Sequence, residues 1–257
     1  MLSLDDVGSG SPLVLLHGLT ATRRYVLQGS RLLQREGFRV VSYDARGHGE
    51  SGAGEGYEYA DLASDLVSVL DSRGIEAAVL VGHSMGAATA VRVALEQPDR
   101  VRGLVQITPA YAGTPYGDPA ALDYWDRLAA GLVSGGVDGF MEEFSPPDDP
   151  RWRDAVVKFT RQRIERHRDL GALAEAVQVV PRSEAFAGLE RLVEISVPVL
   201  VVGSRDDADP THPLAVAEEY ARRLPNASLV VEDEGEAPLA WQGAQLSRAI
   251  LAWLRQA

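Results

Sequence analysis

Six short runs of consecutive apolar, largely β-branched residues constrain the fold of this chain more than any other feature: Leu13 to Leu16, Phe38 to Ser42, Ala77 to Val81, Val101 to Ile107, Val197 to Val202 and Ala227 to Val231. A strand with one face in water alternates apolar and polar residues. Runs that are apolar at consecutive positions suit strands buried on both faces, as in a parallel sheet. Between them lie segments near residues 22–36, 59–73, 85–96, 214–224 and 242–255, with apolar residues at helical spacings of three and four. Strands alternating with helices predict an α/β fold with a doubly wound, mostly parallel sheet. The chain has 257 residues, enough for one large domain or one domain with an insertion.

The alternation breaks between about Pro109 and Ser196. That stretch carries the turn-rich segments TPAYAGTPYGDP and SPPDDP and otherwise reads as amphipathic helices, for example Ala120 to Val133 and Arg151 to Arg166. Residues 1–109 and 197–257 are therefore assigned to the sheet core, and 110–196 to a helical lid inserted after the strand ending near Ile107. Open α/β sheets bind ligands at the carboxyl ends of their strands, so an insertion there is expected to cover the site. Tyr111, Tyr116, Tyr124, Trp125, Phe140, Phe144, Trp152 and Phe159 lie in the insertion, and several are expected on its inner face, giving a mostly apolar small-molecule pocket.

Composition removes several chemistries. With no cysteine there is no disulfide, thiolate metal site or Cys nucleophile. A net charge of -12, from 25 Lys+Arg against 37 Asp+Glu, argues against nucleic acid or an anionic membrane as a partner. The one lysine, Lys158, lies in a polar helical stretch with no glycine-rich loop before it, so lysine chemistry is discounted. No nucleotide fingerprint or metal-ligand cluster is visible, and no cofactor and no metal are expected. The opening MLSLDDVGSG lacks a basic leader pattern and no window reaches the ~20 apolar residues of a membrane span, so a cytoplasmic protein is expected. About a dozen residues precede the first central strand, so an antiparallel hairpin at the start is expected only in part. Any general base of histidine type must come from His17, His48, His83, His167 or His212.

The chemistry centres on Gly82-His83-Ser84-Met85-Gly86, which joins a predicted strand to a predicted helix. A sharp turn there would put Ser84 in a strained conformation, with Gly82 and Gly86 removing side chains that would collide. The Met85 amide at the helix start can donate to an oxyanion. The strand from Pro12 ends in His17-Gly18, and the following loop offers the Leu19 amide as second donor, with His17 holding the loop. In the turn after Tyr43, Asp44, Arg46 and His48 are read as ordering groups. With its HG, DxRGHGxS and GHSMG segments in this order, the chain resembles the capped branch of the α/β-hydrolase superfamily over essentially its whole length.

That resemblance implies an acid after a later strand, and Asp206 matches it, three past Gly203 and four before Pro210, with Asp207 and Asp209 as local rivals. It also implies a histidine base in a loop after the last strand, and here the pattern fails. Glu236 stands at that position, and no histidine follows His212. Three readings remain: Glu236 is itself a base with a pKa raised under the lid, sharing protons with Asp206; another histidine, His212 or His167, takes the role; or the pocket binds a ligand without hydrolysis or serves a non-hydrolytic biosynthetic reaction. The favoured expectation is a hydrolase-like enzyme acting through Ser84 on a small, mostly apolar ester, lactone or related acyl substrate, with a triad lacking its usual histidine.

Overall fold

A computed structural model describes residues 2–205 and 209–256. Its seven strands are β1 (Leu4–Val7), β2 (Pro12–Leu16), β3 (Arg39–Tyr43), β4 (Ala78–His83), β5 (Val101–Ile107), β6 (Val199–Val202) and β7 (Ala227–Val230). They form one sheet in the order β1-β3-β2-β4-β5-β6-β7. All neighbours run parallel except β1, which pairs antiparallel with β3.

The unbroken apolar runs follow from burial on both faces. Val14, Leu16, Leu80, Leu104 and Val201 enter one core layer, while their sequence neighbours Leu13, Leu15, Val81, Val105 and Val202 enter the other. Side chains alternate across a strand, so a sheet covered on both faces needs apolar residues at every position. Helices α2 (Tyr59–Ser72), α3 (Met85–Glu96) and α7 (Leu214–Arg223) cover the first face, and the four-residue α1 (Leu32–Arg35) and α8 (Gly243–Leu254) the second. The last apolar run departs from this expectation. β7 lies at the sheet border with Leu229 and Val230 each 37% exposed, because β6 flanks it on one side only.

The segment near 22–36 is not one helix. It holds a single 3-10 turn at Arg23–Tyr25 and the short α1, separated by Gln28 and Gly29 at positive φ (48° and 76°). Arg23 is drawn inward by ion pairs with Asp5, Asp44 and Glu50, which fixes the turn and interrupts the helical pattern.

Between β5 and β6 the chain forms α4 (Pro119–Glu143), α5 (Pro150–Ile164) and α6 (Leu170–Val179). Each starts at an aspartate whose carboxylate accepts a backbone N–H of the first turn: Asp118 from Ala120, Asp149 from Arg151 and Asp169 from Ala172. Pro119 and Pro150 follow their caps at the first helical position, where a missing N–H costs nothing. Leu128, Leu132, Phe140, Ile164 and Leu173 form a separate small core among these helices, and Leu19 of the sheet domain packs against it. Among the described residues no helix is long and apolar enough to cross a membrane.

Candidate active site

The chain leaves β2 for β3 on one side and returns to β4 on the other, so the loops after β2 and β4 diverge from adjacent strand ends, with Leu16 paired to Gly82. Such a switch point opens a crevice at the carboxyl edge of the sheet. Leu19 lies in the first loop and Ser84 at the end of β4.

Ser84 has φ 51° and ψ -111°, outside the regions L-residues favour. Its amide donates to Ile107 O at 3.0 Å, and its carbonyl accepts from Ala87 and Ala88 in the first turn of α3. The flanking glycines are required sterically. A Cβ on Gly82 would lie 2.3 Å from Gly86 O, and one on Gly86 would lie 2.4 Å from Leu16 O. The Met85 amide opens α3, where no intrahelical acceptor exists for it. Among the described residues neither it nor the Leu19 amide donates to another protein group.

Ser84, Leu19 and Met85 line a cavity of about 150 Å³. Tyr111, Tyr116, Tyr124, Trp125, Phe140 and Phe144 contribute to its wall. Two aromatic residues of the insertion are used elsewhere: Trp152 packs edge-on against Trp241 and Phe159 against Tyr25.

His212 also lines this cavity. Its Nδ1 is 2.8 Å from Asp209 Oδ2, and Asp209 Oδ1 accepts the Thr211 hydroxyl at 2.7 Å. A carboxylate at Nδ1 fixes the proton there and leaves Nε2 as the accepting nitrogen. Burial would raise the Asp209 pKa, but the charge and hydrogen bonds of His212, with Thr211, hold it well below the usual carboxylate range. The His83 ring lies 5.5 Å from that of His212, and burial pushes its pKa down to about 3, so it stays neutral beside its neighbour. Among the described residues the Ser84 hydroxyl makes no hydrogen bond, including to His212. Such contacts are commonly loose in an unliganded site and tighten on substrate.

Two of the remaining candidates, Glu236 and His167, do not line the cavity. Glu236 is exposed at the tip of a turn where its amide donates to Asp233 O, with Gly235 at φ 82°. Glu236 is exposed and does not line the cavity, so the role of base expected of it lacks both the burial and the contact with a bound substrate that it needs. His167 is buried outside the cavity wall, with Nδ1 3.1 Å from Ile164 O and Nε2 3.2 Å from Ala21 O. Asp206, the expected acid, lies outside the described residues, as does its rival Asp207.

The ordering roles expected of the other histidines and the Asp44 turn have clear partners. His17 donates from Nδ1 to Gly18 O and accepts the Ala45 amide at Nε2. Asp44, fully buried, accepts from the Arg23 and Glu50 amides, and Arg46 forks onto Asp65. His48 donates to Arg46 O.

Sequence reading missed two residues here. Glu232, just past β7, is buried and accepts from Ser204 Oγ, the Arg205 amide and the Leu239 amide, joining the loop after β6 to the one after β7. Arg163 reaches the cavity from α5. It stands three past Thr160 and beside Ile164, the two buried residues of that helix, a placement that only the packing reveals.

Residues 11–244 match the profile of the family described as alpha/beta hydrolase fold. The AB hydrolase superfamily protein YisY of Bacillus subtilis is 27% identical over 244 residues, covering 89% of this chain and 85% of its own. The sn-1-specific diacylglycerol lipase ABHD11 of Mus musculus is 37% identical over 115 residues, which are 44% of this chain and 38% of the relative, so that match spans well under half of the lipase. Among solved structures, a thermophilic esterase from Thermogutta terrifontis with malate bound superimposes with a TM-score of 0.79 at 28% identity, covering 99% of this chain and 93% of the esterase.

Proposed function

The chain belongs to the alpha/beta hydrolase fold family, and from that premise we propose that it is a serine hydrolase of small carboxylic esters or lactones, with His212 and Asp209 completing the site. One observation carries the reading. Ser84, in a strained strand-to-helix turn, shares a cavity with a histidine whose Nδ1 is held by a buried-side carboxylate at 2.8 Å. This is the nucleophile, base and orienting-acid logic, assembled from a loop after β6.

The steps follow from the groups. Ser84 Oγ attacks the substrate carbonyl carbon while its proton passes to His212 Nε2, and the resulting imidazolium is stabilised by Asp209. The carbonyl oxygen, now an anion, is met by the Leu19 and Met85 amides, the latter at the positive end of α3. When the intermediate collapses, the C–O bond to the leaving alkoxide breaks and His212 returns the proton to it. Water then attacks the acyl-Ser84 ester with His212 as base, releasing the acid and restoring the serine. Asp209 keeps its charge throughout, as its depressed pKa allows.

The cavity limits the acyl group. About 150 Å³ is the volume that admits one benzene-sized molecule in an engineered protein cavity, so a short acyl chain fits within it. The test is a fluorophosphonate probe with peptide mass spectrometry, together with turnover of p-nitrophenyl acetate and butyrate. Labelling at Ser84, and loss of both labelling and turnover in Ser84→Ala, is the expected outcome; turnover that survives Ser84→Ala would overturn the proposal.

A further inference from the structure

Arg163 has no hydrogen bond or ion pair from its guanidinium among the described residues, and its Nε is closed off from solvent without a partner. It lines the same cavity as Ser84. Other inward-lying arginines have partners: Arg23 pairs with Asp44 and Asp5, Arg46 with Asp65 and Asp61, and Arg92, whose Nε is likewise closed off, reaches Glu96 and two carbonyls through its terminal nitrogens. In a chain with 37 acidic residues, a guanidinium left with open donors in a cavity is an exception. Guanidinium does not deprotonate in proteins, so the charge and its donors persist.

The neighbours do not answer that charge. Asp209 attracts Arg163 at a distance, yet both of its oxygens are engaged, one by His212 and the other by Thr211. Tyr25 and Tyr124 also lie within the electrostatic reach of Arg163, as do the neutral His83 and His167, and no aspartate, glutamate or second arginine or lysine lines the cavity among the described residues. Burial disfavours the charged form, which moves the Arg163 pKa down. Holding an unmatched, half-buried charge is costly in desolvation, and a matching anion recovers part of that loss.

We infer that Arg163 binds a carboxylate of the substrate, so that the natural substrate is a short ester or lactone bearing a free carboxylate, such as a half-ester of a dicarboxylic acid. One cation without a second favours a singly charged carboxylate over a phosphate dianion, and the planar fork suits two-point binding of that group. Arg163 lies on an inserted helix and Ser84 on the sheet edge, so the two hold opposite ends of one molecule: carboxylate on Arg163, scissile carbonyl at Ser84. The products are an alcohol and a dicarboxylate, or a hydroxy-dicarboxylate from a lactone. This rests on the hydrolase reading above.

The test compares monomethyl glutarate with methyl valerate, which have the same length and differ in the terminal carboxylate. The expected ratio of kcat/KM favours the half-ester by roughly ten- to hundredfold, the range for charge-assisted hydrogen bonds. Arg163→Met is expected to collapse that ratio to about one. It is also expected to raise the thermal midpoint, since an unmatched, half-buried charge is removed, whereas a merely structural arginine would lower it. Glutarate binding, followed by calorimetry on wild type and Arg163→Met, separates this inference from the hydrolase reading. Binding lost in the variant supports the anion site even if neither ester turns over, in which case only the hydrolase reading fails. Turnover of both esters with no preference, or glutarate binding equal in the two proteins, overturns the assignment to Arg163.

Discussion

Replacing His167 by glutamine tests how the inserted helices are fastened to the loop that carries Leu19. His167 follows α5 and reaches Ala21 O, three residues past Gly18, while its ring packs edge-on against His48. Two influences oppose each other on this ring. Two carbonyl acceptors favour the doubly protonated form, whereas burial, with His17 and Arg163 nearby, disfavours it; burial is the larger effect and brings the pKa down to about 4. The sign follows directly. Below the unfolded value of 6.5 the unfolded chain binds this proton and the folded chain does not. The contribution is therefore full above pH 6.5 and lost as pH falls toward 4. Between pH 7.5 and 4.5 the loss is roughly 2.5 kcal/mol for this one group. Urea unfolding of wild type and His167→Gln at both pH values isolates it, because every other titrating group is common to the two. The wild type is expected to lose roughly 2.5 kcal/mol more than the variant over that interval. Parallel profiles, or a steeper loss in the variant, would show that the carbonyls outweigh burial and that the ring is cationic in the folded protein.

Two further substitutions probe the supports of the site. Gly86→Ala places a Cβ 2.4 Å from Leu16 O, where backbone rather than a flexible side chain must yield; a loss of about 1–3 kcal/mol in urea unfolding is expected, with activity falling as the turn distorts. Glu232→Ala leaves Ser204 Oγ and two backbone amides without their acceptor. It is expected to destabilise the fold by about 1–3 kcal/mol and to lower kcat, since the tied loop leads to Asp209 and His212; unchanged kcat would show that the loop holds its shape unaided.

What could be read from the sequence was what local rules dictate. Leu13 and Val14 face opposite sides of the sheet, so a parallel, doubly covered sheet is written directly into the apolar runs. The Ser84 turn was equally legible, because Gly82 and Gly86 are excluded from bearing side chains by atoms within a few residues or on the adjacent strand. Legibility fell where an outcome depends on distant partners. Nothing local says that Arg23 turns inward to Asp44, which is why the segment near 22–36 looked like a continuous helix. Glu236 was singled out by its position after the last strand, but the turn at Asp233 and Gly235 sends it to solvent, and the carboxylate that turns inward is Glu232. His212 and Asp209 were visible as residues, three apart in one loop. Their contact is local, but that it falls at the cavity Ser84 lines depends on β6 lying next to β5, which spacing alone does not reveal.

The central claim is that His212, held by Asp209, is the base for Ser84. Its most direct measurement is the kcat of p-nitrophenyl acetate hydrolysis in His212→Ala, Asp209→Asn and Glu236→Ala, each checked for an unchanged fold by circular dichroism. The account predicts that His212→Ala loses about 10³-fold or more, leaving the residual rate of an oxyanion hole without a base, that Asp209→Asn loses a comparable amount, and that Glu236→Ala stays within about twofold of wild type. Wild-type rates in His212→Ala together with a collapse in Glu236→Ala would contradict it and return the base to the loop after β7.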